Sequence, residues 1–223
     1  MSSFISQLDY MGTLMPALLQ GALITVKLFV VTLIFALPLG LPFALGSNCG
    51  IAPLRWISRG YIWIFRGTPL MLQLFFFYFF LPIAMNIRLD GFPTAAITFT
   101  LNYAAYLAEI YRGGIQSIDR GQYEAAQSLG LGKGQTMFGI ILPQTIKRIL
   151  PAVSNEAITL VKDTALVSVL SVGELLKAAR GAVNRDVDVT AYAMAAGIYL
   201  IFTILLTMLT HYLERRYSYE AKE

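Results

Sequence analysis

Apolar residues dominate five stretches of this 223-residue chain, and polar residues gather between them. The stretches run roughly over 23–45, 68–85, 93–111, 149–172 and 191–209. A helix rises about 1.5 Å per residue, so about 20 apolar residues cross the hydrocarbon of a bilayer. Five spanning helices are therefore expected, with little strand. The first holds Pro38 and Pro42, which membrane helices tolerate when neighbours satisfy the freed carbonyls. The fourth is the least apolar, because it carries Asn155, Glu156, Lys162 and Asp163. Ahead of the second span, "PLRWISRGYIWIF" mixes Arg55 and Arg59 with Trp56, Tyr61 and Trp63. That mixture suits a helix lying at the membrane surface.

Composition agrees with a membrane protein. The chain is 57% hydrophobic and only 13% charged, where soluble domains carry about a quarter. The net charge of +4 matters through its placement. Arg55, Arg59 and Arg66 fall in the first loop, and Arg112, Arg120, Lys133, Lys147 and Arg148 in the third. Arg215, Arg216 and Lys222 follow the last span, while the second loop has only Arg88. Basic loops stay in the cytoplasm, so the N-terminus is expected outside and the C-terminus inside. The fourth loop fits worst, with Lys177, Arg180 and Arg185 on the outer side. The N-terminal residues have neither the basic start nor the small-residue cleavage site of a secretory signal. The expected layout is an external segment over 1–18, a transmembrane domain over 19–213 and a cytoplasmic tail over 214–223. The single cysteine, Cys49, forms no internal disulfide and no metal site alone.

Between the third and fourth spans, "EAAQSLGLGKGQTMFGIILP" (124–143) interrupts the apolar pattern. Residues 122–129 favour a short helix, and Gly130 is placed to end it. Two alanines and a glycine make a low-relief surface that another protein can approach closely. The stretch "GLGKGQ" lacks the spacing and the hydroxyl of a phosphate-cradling loop, so no ATP chemistry is expected from this chain.

Four motifs carry a resemblance. Glu124-Ala125-Ala126, Gly130, Ile140 and Leu142-Pro143 are spaced like the cytoplasmic loop of ABC importer permeases. "FRGTPLMLQLF" (65–75), "YLAEIYRGGIQSIDRGQYEAA" (106–126) and "LVKDTALVSVLSVGELL" (160–176) resemble the polar amino acid permeases of the histidine/glutamine type. The resemblance implies the transmembrane half of a type I importer in a bacterial inner (plasma) membrane. It implies a second permease copy or a similar subunit to complete the pore. It further implies ABC ATPase subunits that bind ATP and magnesium, an extracellular solute-binding protein and an amino acid as cargo. Lipid surrounds such a subunit, and nucleic acid is not an expected partner. Within it, Glu124, Ala125, Ala126, Ser128, Leu129 and Gly130 would form the coupling helix seated on the ATPase.

Charged groups inside a span usually face a cavity or each other. Asn102, Tyr106 and Glu109 are spaced i, i+4, i+7 and share one helical face. Glu156, Thr159 and Asp163 share another. Counted along each helix from its cytoplasmic end, Tyr106 and Asn102 lie roughly 9 and 15 Å deep, and Glu156 and Asp163 roughly 12 and 22 Å. The two faces overlap in depth near the midplane, so one solute site is expected. Glu156 or Asp163 would take an amino acid's ammonium. Asn102, Thr164, Ser168 or Lys162 would meet its carboxylate. Other roles compete: Lys162 can pair with Asp163, Glu109 with Arg112, and Asn102 and Tyr106 can bond between helices. The excess of Glu109, Glu156 and Asp163 over Lys162 points to a solute with a basic side chain, unless a second subunit supplies compensating charge. The rival class is an ATP-independent secondary transporter or channel, which internal repeats would mark; none is visible. A catalytic role is not expected, because His211, the single histidine, has no nearby Cys, Asp or second His.

Overall fold

The computed structural model describes residues 2–86 and 88–217, and those residues form helices joined by short connections, with no strand among them. The helices are α1 (Ser2–Ser47), α2 (Ala52–Gly67), α3 (Leu70–Phe75), α4 (Leu81–Met85), α5 (Gly91–Gln116), α6 (Arg120–Ser128), α7 (Lys133–Thr136), α8 (Leu142–Asp163), α9 (Leu175–Asp186) and α10 (Thr190–Tyr217). Of the expected tail, residues 218–223 lie outside the described residues. Two described helices are long and apolar enough to cross a membrane, Ile5–Ser47 and Thr190–Tyr217. Ala52–Gly67 with Leu70–Ala84 passes the same test as one broken span. The expected spans over 93–111 and 149–172 coincide with α5 and α8, whose polar residues keep them below that mark.

Two π-turns interrupt the helical run, Phe76–Phe80 and Met137–Ile141. Each ends one residue before a Leu-Pro pair. The N–H of Leu81 reaches back to Phe76, and that of Leu142 to Met137. A proline ring clashes with the carbonyl four residues earlier and offers no N–H. Widening the turn ahead of Pro82 and Pro143 relieves that clash without ending the helix. A 3₁₀ segment, Thr164–Leu170, follows α8 directly. Ser171 then closes it in the left-handed region at φ 59°.

The chain divides into two compact units. The first comprises Met1–Ile34, Thr68–Thr100 and Ala157–Leu206. Its core joins Leu14, Leu18 and Ala22 of α1 to Leu175, Ala179 and Ala182 of α9 and Ala191, Met194 and Ala195 of α10. Residues expected as an external segment ahead of the first span are thus helical from Ser2, with Leu14 and Leu18 buried.

The second unit comprises Phe35–Gly67, Leu101–Glu156 and Thr207–Glu223. Here α2 buries Ser58 and Ile62, with Arg55, Tyr61 and Phe65 half-buried beside them. Tyr61 stacks on Phe43 at 3.9 Å between ring centroids. Ile62 packs with Ala44 and Ala108, while the Asn102 amide donates to the Phe65 carbonyl at 3.0 Å. The helix therefore rises along α5 from Ala108 to Asn102. Glycine makes the approach possible: a Cβ at Gly46 would fall 2.3 Å from the Ser58 hydroxyl. The face turned away from the unit carries exposed Trp56, Ile57, Trp63 and Ile64.

Candidate functional site

The first feature is the polar face of α8. Asn155, Thr159 and Lys162 are exposed along it, and Glu156 and Asp163 are half-buried beside them. Charged groups on a segment flanked by apolar sequence face a cavity or one another, and Glu156 and Asp163 each have an interaction partner. At Asp163 the α-helix gives way to the 3₁₀ segment, in which Thr164 and Ser168 are buried. The Thr164 hydroxyl donates to the Val161 carbonyl at 2.6 Å. Lys162, Asp163, Thr164 and Ser168 belong to the first unit, and Glu156 belongs to the second.

In the second unit, Asn102, Tyr106 and Glu109 lie on α5 as the spacing predicts, and each has a partner within that unit. Asn102 is bonded to Phe65. The Arg66 guanidinium sits over the Tyr106 ring, 5.3 Å from its centroid. Glu109 accepts from Arg112 at 2.9 and 2.6 Å and lies 3.6 Å from Arg66. A hollow of about 510 Å³ opens there, lined by Arg59, Trp63, Arg66, Tyr106 and Glu109 among others. Three guanidiniums (Arg59, Arg66 and Arg112) bear on one carboxylate. The hollow is therefore positive, and Glu109 is not part of a negative excess.

The loop motif folds as a separate knob on the same unit. Asp119 caps α6 by accepting the Gly121 N–H at 2.6 Å. At the other end Leu131 N–H reaches the Ala126 carbonyl and Gly130 N–H that of Gln127, both at 3.0 Å. Gly130 takes φ 72°, so the helix ends in a Schellman turn that favours glycine. Ala126 faces inward, while Glu124, Ala125, Ser128, Leu129 and Gly130 are exposed. Leu129 is 77% exposed, unusual for a large apolar side chain beside a short helix. Gln144 of α8 donates to Gln122 at 3.0 Å, and Arg148 donates to the Ser117 carbonyl, so α8 holds the knob from below.

With these elements in place, comparison with known proteins decides the family. Residues 36–219 match the family of binding-protein-dependent transport system inner membrane components. The chain belongs to that family. This permease is 41% identical over 203 residues to the L-cystine transport system permease protein TcyB of Bacillus subtilis (strain 168), covering 90% of this chain and 86% of TcyB. It is 40% identical over 212 residues to the arginine transport system permease protein ArtQ of the same organism, covering 94% and 97%. Its structure matches a chain from the crystal structure of an amino acid ABC transporter with histidines at a TM-score of 0.87 and 34% identity, covering 96% and 98%. A chain of the inward-facing MetNI methionine ABC transporter gives a TM-score of 0.77 at 19% identity, a likeness of fold alone; it covers 92% of this permease and 98% of that chain. The permease is thus an inner membrane component of a binding-protein-dependent transport system.

One carboxylate went unassigned in the sequence. Glu174 is fully buried at the start of α9. It accepts the N–H groups of Leu176 at 2.7 Å and Lys177 at 2.6 Å and the Tyr199 hydroxyl at 2.9 Å. Burial pushes its pKa up, while these donors pull against that rise. Among the described residues no group of three or more His, Cys, Asp or Glu could hold a metal ion.

Proposed function

We propose that this permease is half of the pore of an ATP-driven importer of polar amino acids, and that its cargo carries a basic side chain. The observation carrying this is the polar face of α8, where Glu156 and Asp163 outnumber Lys162. Because Glu109 is already engaged by Arg112 and Arg66, the negative excess rests on α8 alone. A guanidinium, ammonium or imidazolium would meet Glu156 or Asp163. The α-carboxylate would meet Lys162, with Thr164 and Ser168 of the same unit as further contacts. Among the relatives, ArtQ is named for arginine and TcyB for L-cystine, and the solved amino acid transporter is described with histidines. Five crossings with the N-terminus outside follow from the loop charges, with 1–18 external, 19–213 spanning and 214–223 in the cytoplasm. The exposed face of α6 would seat on an ATPase that holds ATP and magnesium, and an external binding protein would deliver the cargo.

The test is ATP hydrolysis by the reconstituted complex with its binding protein. Arginine, lysine or histidine should stimulate it, and Glu156→Gln should weaken that stimulation. Stimulation by glutamate alone overturns the basic preference. Loss of ATPase co-purification in Glu124→Arg or Gly130→Val, with the permease still folded, supports the docking face. Retained association together with retained ATP-driven uptake in both overturns it.

A further inference from the structure

We infer that the outer face of α2 is a binding site for anionic phospholipid, in which Arg59 and Arg66 hold the headgroup phosphate and Trp56 and Trp63 stand beside it at the edge of the hydrocarbon. The inference uses the second unit alone and does not depend on which solute is carried.

Trp56, Arg59, Trp63 and Arg66 are spaced i, i+3, i+7 and i+10, so indoles and guanidiniums alternate along one stripe of α2. All four are exposed, Trp56 at 74% and Trp63 at 78%, and exposed Ile57 and Ile64 stand beside them. Arg59 and Arg66 also line the hollow of about 510 Å³ against α5, where charge does not balance. Glu109 is the acid in its lining, and Arg112 already holds both of its oxygens, at 2.9 and 2.6 Å. Arg66 reaches Glu109 only at 3.6 Å and otherwise lies over the Tyr106 ring. Arg59 directs its Nε to the neutral Ser47 carbonyl at 3.0 Å. Two guanidinium charges are therefore left for an anion from outside the unit. An arginine at the edge of hydrocarbon is costly unless an anion or water meets it. Phosphate oxygens match a guanidinium in a two-pronged pair, and tryptophan favours the boundary between headgroup and chain. The stripe thus fits a lipid phosphodiester whose acyl chains run along Ile57 and Ile64. Length separates lipid from solute. Trp56 and Arg66 stand ten residues apart, about 15 Å along the helix, more than a free amino acid covers. A covering protein would have to bring carboxylates to the same stripe.

Trp56 and Trp63 are the two tryptophans of the chain, so indole emission reports on this stripe alone. The full-length permease is reconstituted in vesicles of phosphatidylcholine and phosphatidylglycerol, with brominated chains on one lipid or the other. Quenching by each gives their relative affinity for the stripe. Phosphatidylglycerol should be preferred about fivefold or more, and Arg59→Gln and Arg66→Gln should each lower that preference by up to about fivefold. Arg66→Lys keeps the charge and should retain most of it. Added salt should weaken the preference of the wild type. Equal quenching by both lipids overturns the inference, since it marks an ordinary lipid-facing surface. Quenching by neither also overturns it, because a second permease copy or another protein then covers the stripe. Quenching that free arginine or glutamate relieves assigns the hollow to solute and overturns it as well. A preference that survives in both glutamine variants refutes the role of the arginines. If those variants fail to fold, the wild type decides: a preference that salt leaves unchanged counts against the phosphate contact.

Discussion

Glu109 in the second unit and Glu174 in the first are both satisfied carboxylates, by opposite means. Glu109 takes side-chain guanidiniums, Arg112 in a two-pronged pair and Arg66 at longer range, with its side chain 23% exposed. Glu174 takes two backbone N–H groups and a tyrosine hydroxyl, and is wholly buried. The donors of Glu109 can turn to water or to another anion; Arg112 already reaches Gln116 as well. The backbone donors of Glu174 have no such freedom, because they are the first turn of α9. Exchangeable pairing suits a surface that meets solute or lipid. Fixed pairing suits a joint. Formal charge in the sequence does not distinguish the two.

The sharpest way to break this contrast is to truncate each glutamate. Glu174→Ala strands the Leu176 and Lys177 N–H groups and the Tyr199 hydroxyl inside the protein, at a cost of about 3 kcal/mol or more. Glu109→Ala leaves Arg66 and Arg112 near water, and its cost should stay near or below about 1 kcal/mol. Thermal unfolding of the detergent-solubilised permease measures both. Equal losses would mean that the two carboxylates are the same kind of group.

Part of this arrangement was legible in the sequence. The apolar stretches mark α1, the α3–α4 region, α5, α8 and α10, and the run over 122–129 with Gly130 marks α6 and its C-terminal end, starting two residues late. The Glu109–Arg112 pair follows from i, i+3 spacing. The Arg66 partner does not, because it arrives from another helix. The packing of α2 along α5 was hidden, because it depends on Ala108 and Asn102, about 40 residues further along the chain. The π geometry ahead of Pro82 and Pro143 has no signal in the apolar pattern. Glu174 stayed hidden for two reasons. Glutamate is not among the usual N-capping residues, and its burial depends on α1, about 150 residues earlier.

That dependence gives a second way to sharpen the contrast, with a smaller effect. Gly21 of α1 lets the chain at Glu174 and Leu175 come into backbone contact; a Cβ there would sit 2.9 Å from the Leu175 Cα and 3.0 Å from the Glu174 carbonyl oxygen. Backbone cannot step aside as a flexible side chain can, so Gly21→Ala should cost about 1–3 kcal/mol. Gly12 lies on the same helix with nothing within 4 Å of the added atom. Gly12→Ala should be neutral or stabilising by up to about 1 kcal/mol, from helix propensity. If both substitutions behave alike, close approach at Gly21 does not hold the Glu174 joint together.

The smallest expected effect lies at the far end of α9, where Asp186 draws on both kinds of donor. Its carboxylate accepts from the Arg185 guanidinium at 2.7 and 2.6 Å and from the Tyr10 hydroxyl of α1 at 2.8 Å. Those donors hold its pKa down at about 2, from an ordinary 3.8. The sign follows from that depression. The folded state binds the proton less tightly than the unfolded chain, so the stabilisation is fully present above about 3.8 and is lost as pH falls toward about 2. The group is exposed, so the effect should be small and should shrink with added salt. The unfolding temperatures of the wild type and Asp186→Asn should differ slightly at neutral pH and converge across that acidic window. A gap that survives to the lowest pH would assign the difference to the Tyr10 hydroxyl's geometry, not to charge, and would place Asp186 with Glu174 as a fixed joint.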